Sequence, residues 1–183
     1  MELIGLYLIA CALLVVAGLA KLVRPDATAR ALAALVPMPL ARVRGLVRVG
    51  ATAEAVLGLV ALAAPRTVSA GLVAASYGAF ALFIVYARAK GGAIASCGCF
   101  GTPDTPATAL HALVDLGLAA AAVAVAIAAP AGSIVSILAA QPLHGGPLVL
   151  VSAIGAWLTY LVVSRLAALQ AARELTGVTF RAP

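Results

Sequence analysis

Two cysteines separated by a single glycine are the residues of this chain best suited to chemistry. Cys97, Gly98 and Cys99 lie in a stretch that carries no charge between Lys90 and Asp104. Two thiols at this spacing can close a small, strained disulfide ring that is reduced more readily than an ordinary bridge. They can also present two thiolates to a soft ion such as Cu(I) or Hg(II). Gly98 has no Cβ and lets the backbone turn sharply enough for either arrangement.

The alternative is that Cys97 and Cys99 are inert, since buried cysteine commonly behaves as a small hydrophobic residue. The chain has only three cysteines, and functional residues concentrate in loops, which favours a chemical role for this pair. The third cysteine, Cys11, lies inside the first apolar segment, on the order of 15 Å from its inner end. We expect Cys11 to be a packed core residue and not a resolving thiol.

Three ionisable residues inside apolar segments could act on these thiols. Glu54 lies near the middle of the second apolar segment, where an ionised carboxylate usually faces a partner or a cavity. His111 and Asp115 are four residues apart, which places them on one face of a helix. A basic or protonatable neighbour would favour the thiolate that exchange chemistry requires. The alternative to a chemical role is a structural one, in which these side chains form hydrogen bonds between helices; we favour it for Asp115. Arg48 is a candidate partner for either carboxylate.

The composition indicates an integral membrane protein. Apolar residues make up 64% and charged residues 10% of the 183 residues, whereas soluble domains average about half and about a quarter. Five stretches are long and apolar enough to span a bilayer. They cover roughly residues 3–23, 44–64, 67–87, 107–129 and 147–169. The first has no basic region before it and no small-residue cleavage site after it, so we expect a retained helix and not a signal peptide.

We therefore predict an all-α fold, a polytopic bundle of five transmembrane helices that forms one membrane domain over residues 1–183. The stretch between the fourth and fifth helices is rich in glycine and proline, which predicts an interfacial loop. A short surface helix is expected within it, over roughly residues 133–140.

The distribution of basic residues predicts the orientation of this bundle. The chain has 12 lysines and arginines and a net charge of +6, and with five spans all of the basic residues except Arg66 fall on one face. By the positive-inside rule that face is cytoplasmic, so the N-terminus lies outside and the C-terminus inside the plasma membrane. These residues border membrane segments without interleaved aromatics. We accordingly expect contact with the lipid bilayer and exclude nucleic acid as a partner.

The loop that holds Cys97 and Cys99 then starts from the cytoplasmic face. Its sequence between Gly91 and Gly101 is apolar and rich in glycine. Irregular backbone is tolerated at membrane depth only where protein or a water-filled cavity surrounds it. We expect a shallow re-entrant loop tucked into the helix bundle.

Five sequence features occur together in the first 130 residues. They are the Gly18–Pro25 end of the first helix with its Lys21, the Pro37-Met38-Pro39 segment, Glu54, Tyr86-Ala87 and Cys97-Gly98-Cys99-Phe100-Gly101. This combination resembles the MauE branch of the DoxX-like membrane proteins, a redox-associated group named for methylamine utilisation. The resemblance implies a four-helix core over residues 1–130, to which residues 131–183 add an interfacial loop and a fifth helix.

The same resemblance implies thiol–disulfide traffic in the membrane with an extracytoplasmic thioredoxin-like partner. Roles carry over to Cys97, Cys99 and Glu54. The family's fourth helix often opens with an Arg–Asn pattern where this chain has His111 and Asp115, so no role is transferred to those two. We predict a thiol–disulfide oxidoreductase that relays reducing equivalents through the cysteine pair to or from that partner. Its candidate catalytic residues are Cys97, Cys99, Glu54 and His111.

Other partners and functions stay open. No bound cofactor is evident, although a quinone or a low-molecular-weight thiol could replace one of the exchange partners, and the chain could form a homo-oligomer. The alternative function is a soft-metal transporter or binding protein that holds Cu(I) or Hg(II) through Cys97 and Cys99. Only two methionines and two histidines are present to pass such a metal onward. A third hypothesis is a non-catalytic assembly subunit in which the thiols are incidental.

Overall fold

The computed structural model describes residues 3–34, 36–89, 108–128 and 133–166. Over these ranges the fold is helical and contains no strand, and five helices are long and apolar enough to cross a membrane. The helices are α1 (Leu3–Val23), α2 (Asp26–Ala33), α3 (Leu40–Ala63), α4 (Thr67–Ala89), α5 (Ala109–Ala128), α6 (Ile134–Ala139) and α7 (Gly146–Leu161). A 3-10 turn, Pro142–Gly145, precedes α7, and a π-helical turn, Val162–Leu166, extends it. The predicted all-α bundle of five spans is confirmed.

The central helix of the bundle is α1, which contacts α3, α5 and α7, while α4 packs mainly on α5. The core between these helices contains the fully buried side chains of Tyr7, Leu14 and Val73. Cys11 belongs to the same core and has no exposed surface, as predicted for a packed cysteine. Lipid tails are as apolar as this core, so close packing between helices, and not the hydrophobic effect, holds such a bundle together.

Two glycines allow α1 and α3 to approach closely. A Cβ atom on Gly18 would lie 2.7 Å from the carbonyl oxygen of Ala51 and 2.8 Å from the backbone nitrogen of Ala55. A Cβ atom on Gly58 would lie 2.9 Å from the carbonyl oxygen of Cys11. Any larger residue at either position would push the helices apart. The two glycines therefore fix how α1 is placed against α3.

The short helix α2 packs across the ends of α3 and α4, and the apolar pattern of the sequence did not predict it. Ala29 is buried against α3, and Ala31 packs against Ala87 of α4. An exposed ion pair of 2.7 Å between Arg44 Nε and Asp26 Oδ1 adds a second attachment to α3. Because α2 has eight residues, it is too short to span a bilayer, and it covers the ends of two spanning helices instead.

The surface helix expected over residues 133–140 is present as α6. The hydroxyl of Ser133 caps it by accepting a 3.3 Å hydrogen bond from the backbone N–H of the third residue of the helix. The chain then reverses through Leu143, His144 and Gly145, whose φ angles of 53°, 51° and 72° are all left-handed. Such angles favour glycine, and non-glycine residues adopt them at a cost. This reversal brings the chain back into the membrane as α7.

Successive spans run in opposite directions, so the ends of α1, α4 and α7 and the starts of α3 and α5 lie on one face of the bundle. We call this the basic face, because it carries, among the described residues, Lys21, Arg24, Arg30, Arg42, Arg44, Arg48, Arg88 and Arg165. Of the described basic residues only Arg66 lies on the opposite face. Cys97 and Cys99 lie outside the described residues. The two positions that flank the loop, Ala89 and Thr108, are on the basic face.

Candidate functional site

A buried ion pair joins α1 to α3. Lys21 Nζ lies 2.5 Å from Glu54 Oε2. The side chain of Lys21 is 8% exposed and that of Glu54 is 17% exposed. Charges removed from water in this way are tolerated only when they are paired. Lys21 is in the last turn of α1, three residues after Gly18, whose contact with α3 brings the two side chains together. The ion pair thus depends on the close packing of the two helices.

Lys21 is the partner of Glu54 that the sequence interpretation missed. The expectation that Glu54 faces a partner is confirmed, but the suggestion that Arg48 pairs with it is wrong. Arg48 is six residues before Glu54 on the same helix, which turns its side chain to a different face, and it is exposed. One feature of the sequence points to Lys21 as the partner: it is the one charged residue of α1, and its neighbours in the helix are apolar.

The same lysine also contacts α4. Its Nζ atom lies 4.6 Å from the centre of the Phe80 ring, within the range of a cation–π interaction. Tyr77 packs edge-on against Phe80 with 5.9 Å between ring centres, and its hydroxyl donates a 2.7 Å hydrogen bond to the carbonyl oxygen of Ala10. Lys21 of α1 is thereby held by a carboxylate of α3 and an aromatic ring of α4.

His111 and Asp115 lie on the other side of Lys21. A cavity of about 50 Å³ lies between α1, α4, α5 and the end of α7, and Lys21, Tyr77, His111 and Asp115 all line it. This volume is large enough for a water molecule. His111 is buried, and its Nδ1 atom is 2.8 Å from the hydroxyl of Thr108. Asp115 is within electrostatic range of Lys21.

Lys21 therefore connects the three ionisable residues that the sequence places inside apolar segments. Glu54 approaches it from one side, and His111 and Asp115 share a cavity with it on the other. We call these four residues the Lys21 cluster. It lies toward the basic face, since Lys21 is in the last turn of α1 and His111 is the third residue of α5. A cation with a carboxylate on one side and a carboxyl group and an imidazole on the other can hold a proton or stabilise a nearby anion.

A second and larger cavity, of about 290 Å³, lies beneath α2. Lys21 and Glu54 are on its wall, together with Thr28 of α2 and the rings of Phe80 and Phe83 of α4. We call it the α2 cavity. Lys21 and Phe80 separate it from the smaller cavity, because both residues line both spaces.

Metal binding has no candidate within the described ranges of the chain, where no three His, Cys, Asp or Glu side chains are grouped as a metal ion requires. Cys97 and Cys99, the ligands that the alternative function needs, lie outside those ranges. The two-thiolate metal site therefore stays a prediction.

Comparison with known proteins identifies the chain at the level of a family. Residues 2–129 match the sequence model of a family described as methylamine utilisation protein MauE. No curated protein and no solved structure matches the chain significantly. The matched segment covers α1 to α5 and the whole Lys21 cluster, whereas α6 and α7 follow it in the chain. The resemblance inferred from the motifs is confirmed, and this chain belongs to the MauE family of multi-pass membrane proteins.

Proposed function

We propose that this protein is a thiol–disulfide oxidoreductase of the plasma membrane. Cys97 and Cys99 alternate between a dithiol and a disulfide, and they relay reducing equivalents to or from a thioredoxin-like protein. Membership of the MauE family, for which the resemblance implies thiol–disulfide traffic, and the spacing of the two cysteines support this proposal.

The observation that carries the proposal is the position of the Lys21 cluster. Its residues lie toward the basic face, and the loop with the two cysteines leaves α4 after Ala89 and returns to α5 at Thr108 on that same face. Thiol exchange needs groups that stabilise a thiolate and accept its proton. The cluster offers an ammonium for the first task and carboxyl and imidazole groups for the second.

The exchange balances as two substitutions at sulfur. In the first, one cysteine thiolate attacks a partner disulfide, a mixed disulfide forms, and the partner's other sulfur leaves as a thiolate that takes up a proton. In the second, the remaining cysteine thiolate attacks the mixed disulfide, closes the Cys97–Cys99 bond and releases the reduced partner. Two electrons and two protons pass from the pair to the partner, and the reverse sequence reduces the pair.

The charge asymmetry supports a cytoplasmic position for the basic face. Eight described basic residues lie on that face and only Arg66 lies on the other, which is the bias that membrane insertion produces. With the cysteine loop rooted on this side, the simplest direction of flow is from a cytosolic thiol to an acceptor outside.

The test is the redox state of Cys97 and Cys99 in living cells. Membranes of a Cys11→Ala strain are trapped in acid and labelled with a maleimide mass tag, before and after a short pulse of oxidant or reductant. We expect the pair to convert between tagged and untagged forms. A Cys97→Ser, Cys99→Ser strain serves as the control for unrelated labelling.

Single variants identify the partner. Of Cys97→Ser and Cys99→Ser, the variant that keeps the attacking cysteine and lacks the resolving one should accumulate the mixed disulfide. Mass spectrometry then identifies the protein attached. Thiols that stay reduced through both pulses would refute the exchange mechanism and direct attention to soft-metal binding.

A further inference from the structure

The α2 cavity has the size and the opening of a ligand site. Its volume of about 290 Å³ is close to the lower end of the range of small-molecule pockets. Leu46, Gly50 and Ala79 line it and are exposed on the outer surface of the bundle. The cavity is therefore open to the outside of the bundle between the spanning helices α3 and α4, and a membrane-soluble molecule can enter it.

The polar groups of this cavity suit a neutral ligand. Lys21 and Glu54 form a pair without net charge, so an anionic lipid headgroup gains little from it. Lys21 carries three donor hydrogens, more than its hydrogen bond to Glu54 uses, and a carboxylate can accept several hydrogen bonds. The pair can therefore donate to a carbonyl oxygen and accept from a hydroxyl.

The remaining walls suit a flat ring. Phe80 and Phe83 are three residues apart and thus lie on the same side of α4, and both line the cavity with Leu32 and Val47 opposite. Aromatic side chains pack favourably against another ring in offset or edge-on geometry. An unbranched acyl chain would gain from the apolar walls but would use neither the ring faces nor the donor–acceptor pair.

From these features we propose that the α2 cavity binds a membrane-soluble quinone or its quinol, with Lys21 donating to a ring carbonyl and Glu54 accepting from a ring hydroxyl. The proposal that a quinone binds depends on the cavity alone. The redox role of the quinone rests on the proposed function. Oxidation of the dithiol of Cys97 and Cys99 releases two electrons and two protons, and reduction of one quinone to a quinol consumes those two electrons and two protons. The quinone then replaces a protein thiol as one end of the relay.

Photolabelling of the full-length protein in lipid nanodiscs tests binding. The probe is an aryl-azide derivative of ubiquinone-1, whose fully substituted ring does not alkylate thiols, and labelled peptides are located by mass spectrometry. We expect labelling in α2, α3 and α4 that an excess of ubiquinone-1 abolishes and an equal excess of oleate does not. Labelling that oleate removes equally well would identify an acyl-chain groove and overturn the proposal.

Two glycines of α3 provide a matched pair of variants. Gly50 lines the cavity and Gly45 does not, and a Cβ atom at either position would meet no atom within 4 Å. Gly50→Phe should fill the cavity and reduce labelling by about tenfold or more, a change of at least about 1.4 kcal/mol in binding free energy. Gly45→Phe should leave labelling unchanged. Equal labelling of the two variants contradicts the proposed site.

The polar pair is tested by the double variant Lys21→Met, Glu54→Gln, which removes both charges of the pair together. Ubiquinone-1 should compete roughly tenfold less well, since hydrogen bonds to charged groups are lost. Unchanged competition would overturn the assignment of the ring oxygens to this pair. The Cys97→Ser, Cys99→Ser variant should still be labelled, because binding needs only the cavity. If the protein with both cysteines is labelled but its thiols do not interconvert under the oxidant and reductant pulses, the proposed function fails and the binding stands.

Discussion

The Lys21–Glu54 pair should dominate the response of the bundle to substitution. Lys21→Met keeps the length of the side chain but leaves the Glu54 carboxylate, which is 17% exposed, without its partner. Breaking a buried ion pair by removing one member typically costs about 3–5 kcal/mol. Loss of the contact with the Phe80 ring, at 4.6 Å, adds about 0.5–2 kcal/mol.

The double variant Lys21→Met, Glu54→Gln should recover most of this loss. It removes both charges and leaves groups of nearly the same volume, a replacement that is often neutral or stabilising. The free energy of unfolding is measured on the full-length protein in mixed micelles, by titration with sodium dodecyl sulfate and circular dichroism of the helices. The double variant is expected within about 1 kcal/mol of the unmodified protein.

Arg44→Met is the matched control for this measurement. It also replaces a paired cation with methionine, but Arg44 and Asp26 are 41% and 52% exposed, so the loss should not exceed about 1 kcal/mol. If Lys21→Met costs no more than Arg44→Met, or if the double variant costs as much as the single one, the pair does not have the buried character inferred from the structure.

Three further predictions follow from packing and orientation. Gly18→Ala should destabilise the bundle by about 1–3 kcal/mol in the same titration, because its Cβ would lie 2.7 Å from a backbone oxygen, whereas Gly45→Ala, with open space, should not destabilise it. In a background without native cysteines, Arg66→Cys should react with an impermeant maleimide on intact cells, and Arg42→Cys only after permeabilisation. Cys11, which has no exposed surface, should react only after denaturation; labelling of it in native membranes would contradict its place in the core.

Most residues of the Lys21 cluster could be singled out from the sequence by their type and position. An acidic residue in a membrane segment is costly, so Glu54 could be expected to face a partner. The spacing of His111 and Asp115 was sufficient to place them on one face of α5, where both line the same cavity. Cys97 and Cys99 lie outside the described residues, and their chemistry stays a prediction from spacing and family.

The identity of the ion-pair partner could not be obtained in the same way. Lys21 and Glu54 are 33 residues apart in the chain, and pattern arguments treat each helix by itself. Arg48, the candidate partner for either carboxylate, is on the same helix as Glu54 but faces another side of it. The short helix α2 was missed for a related reason, since its alanines are recognised as buried only when α3 and α4 are in place.

The sequence by itself determined the five spans and the family. Runs of about 20 apolar residues must cross the bilayer as helices, because every backbone hydrogen bond has to be satisfied within the segment. Only the tertiary structure decided which polar side chains meet. That depends on the rotation and distance of neighbouring helices, and in α1 and α3 both are set by backbone contacts at Gly18 and Gly58 that bring Lys21 to Glu54.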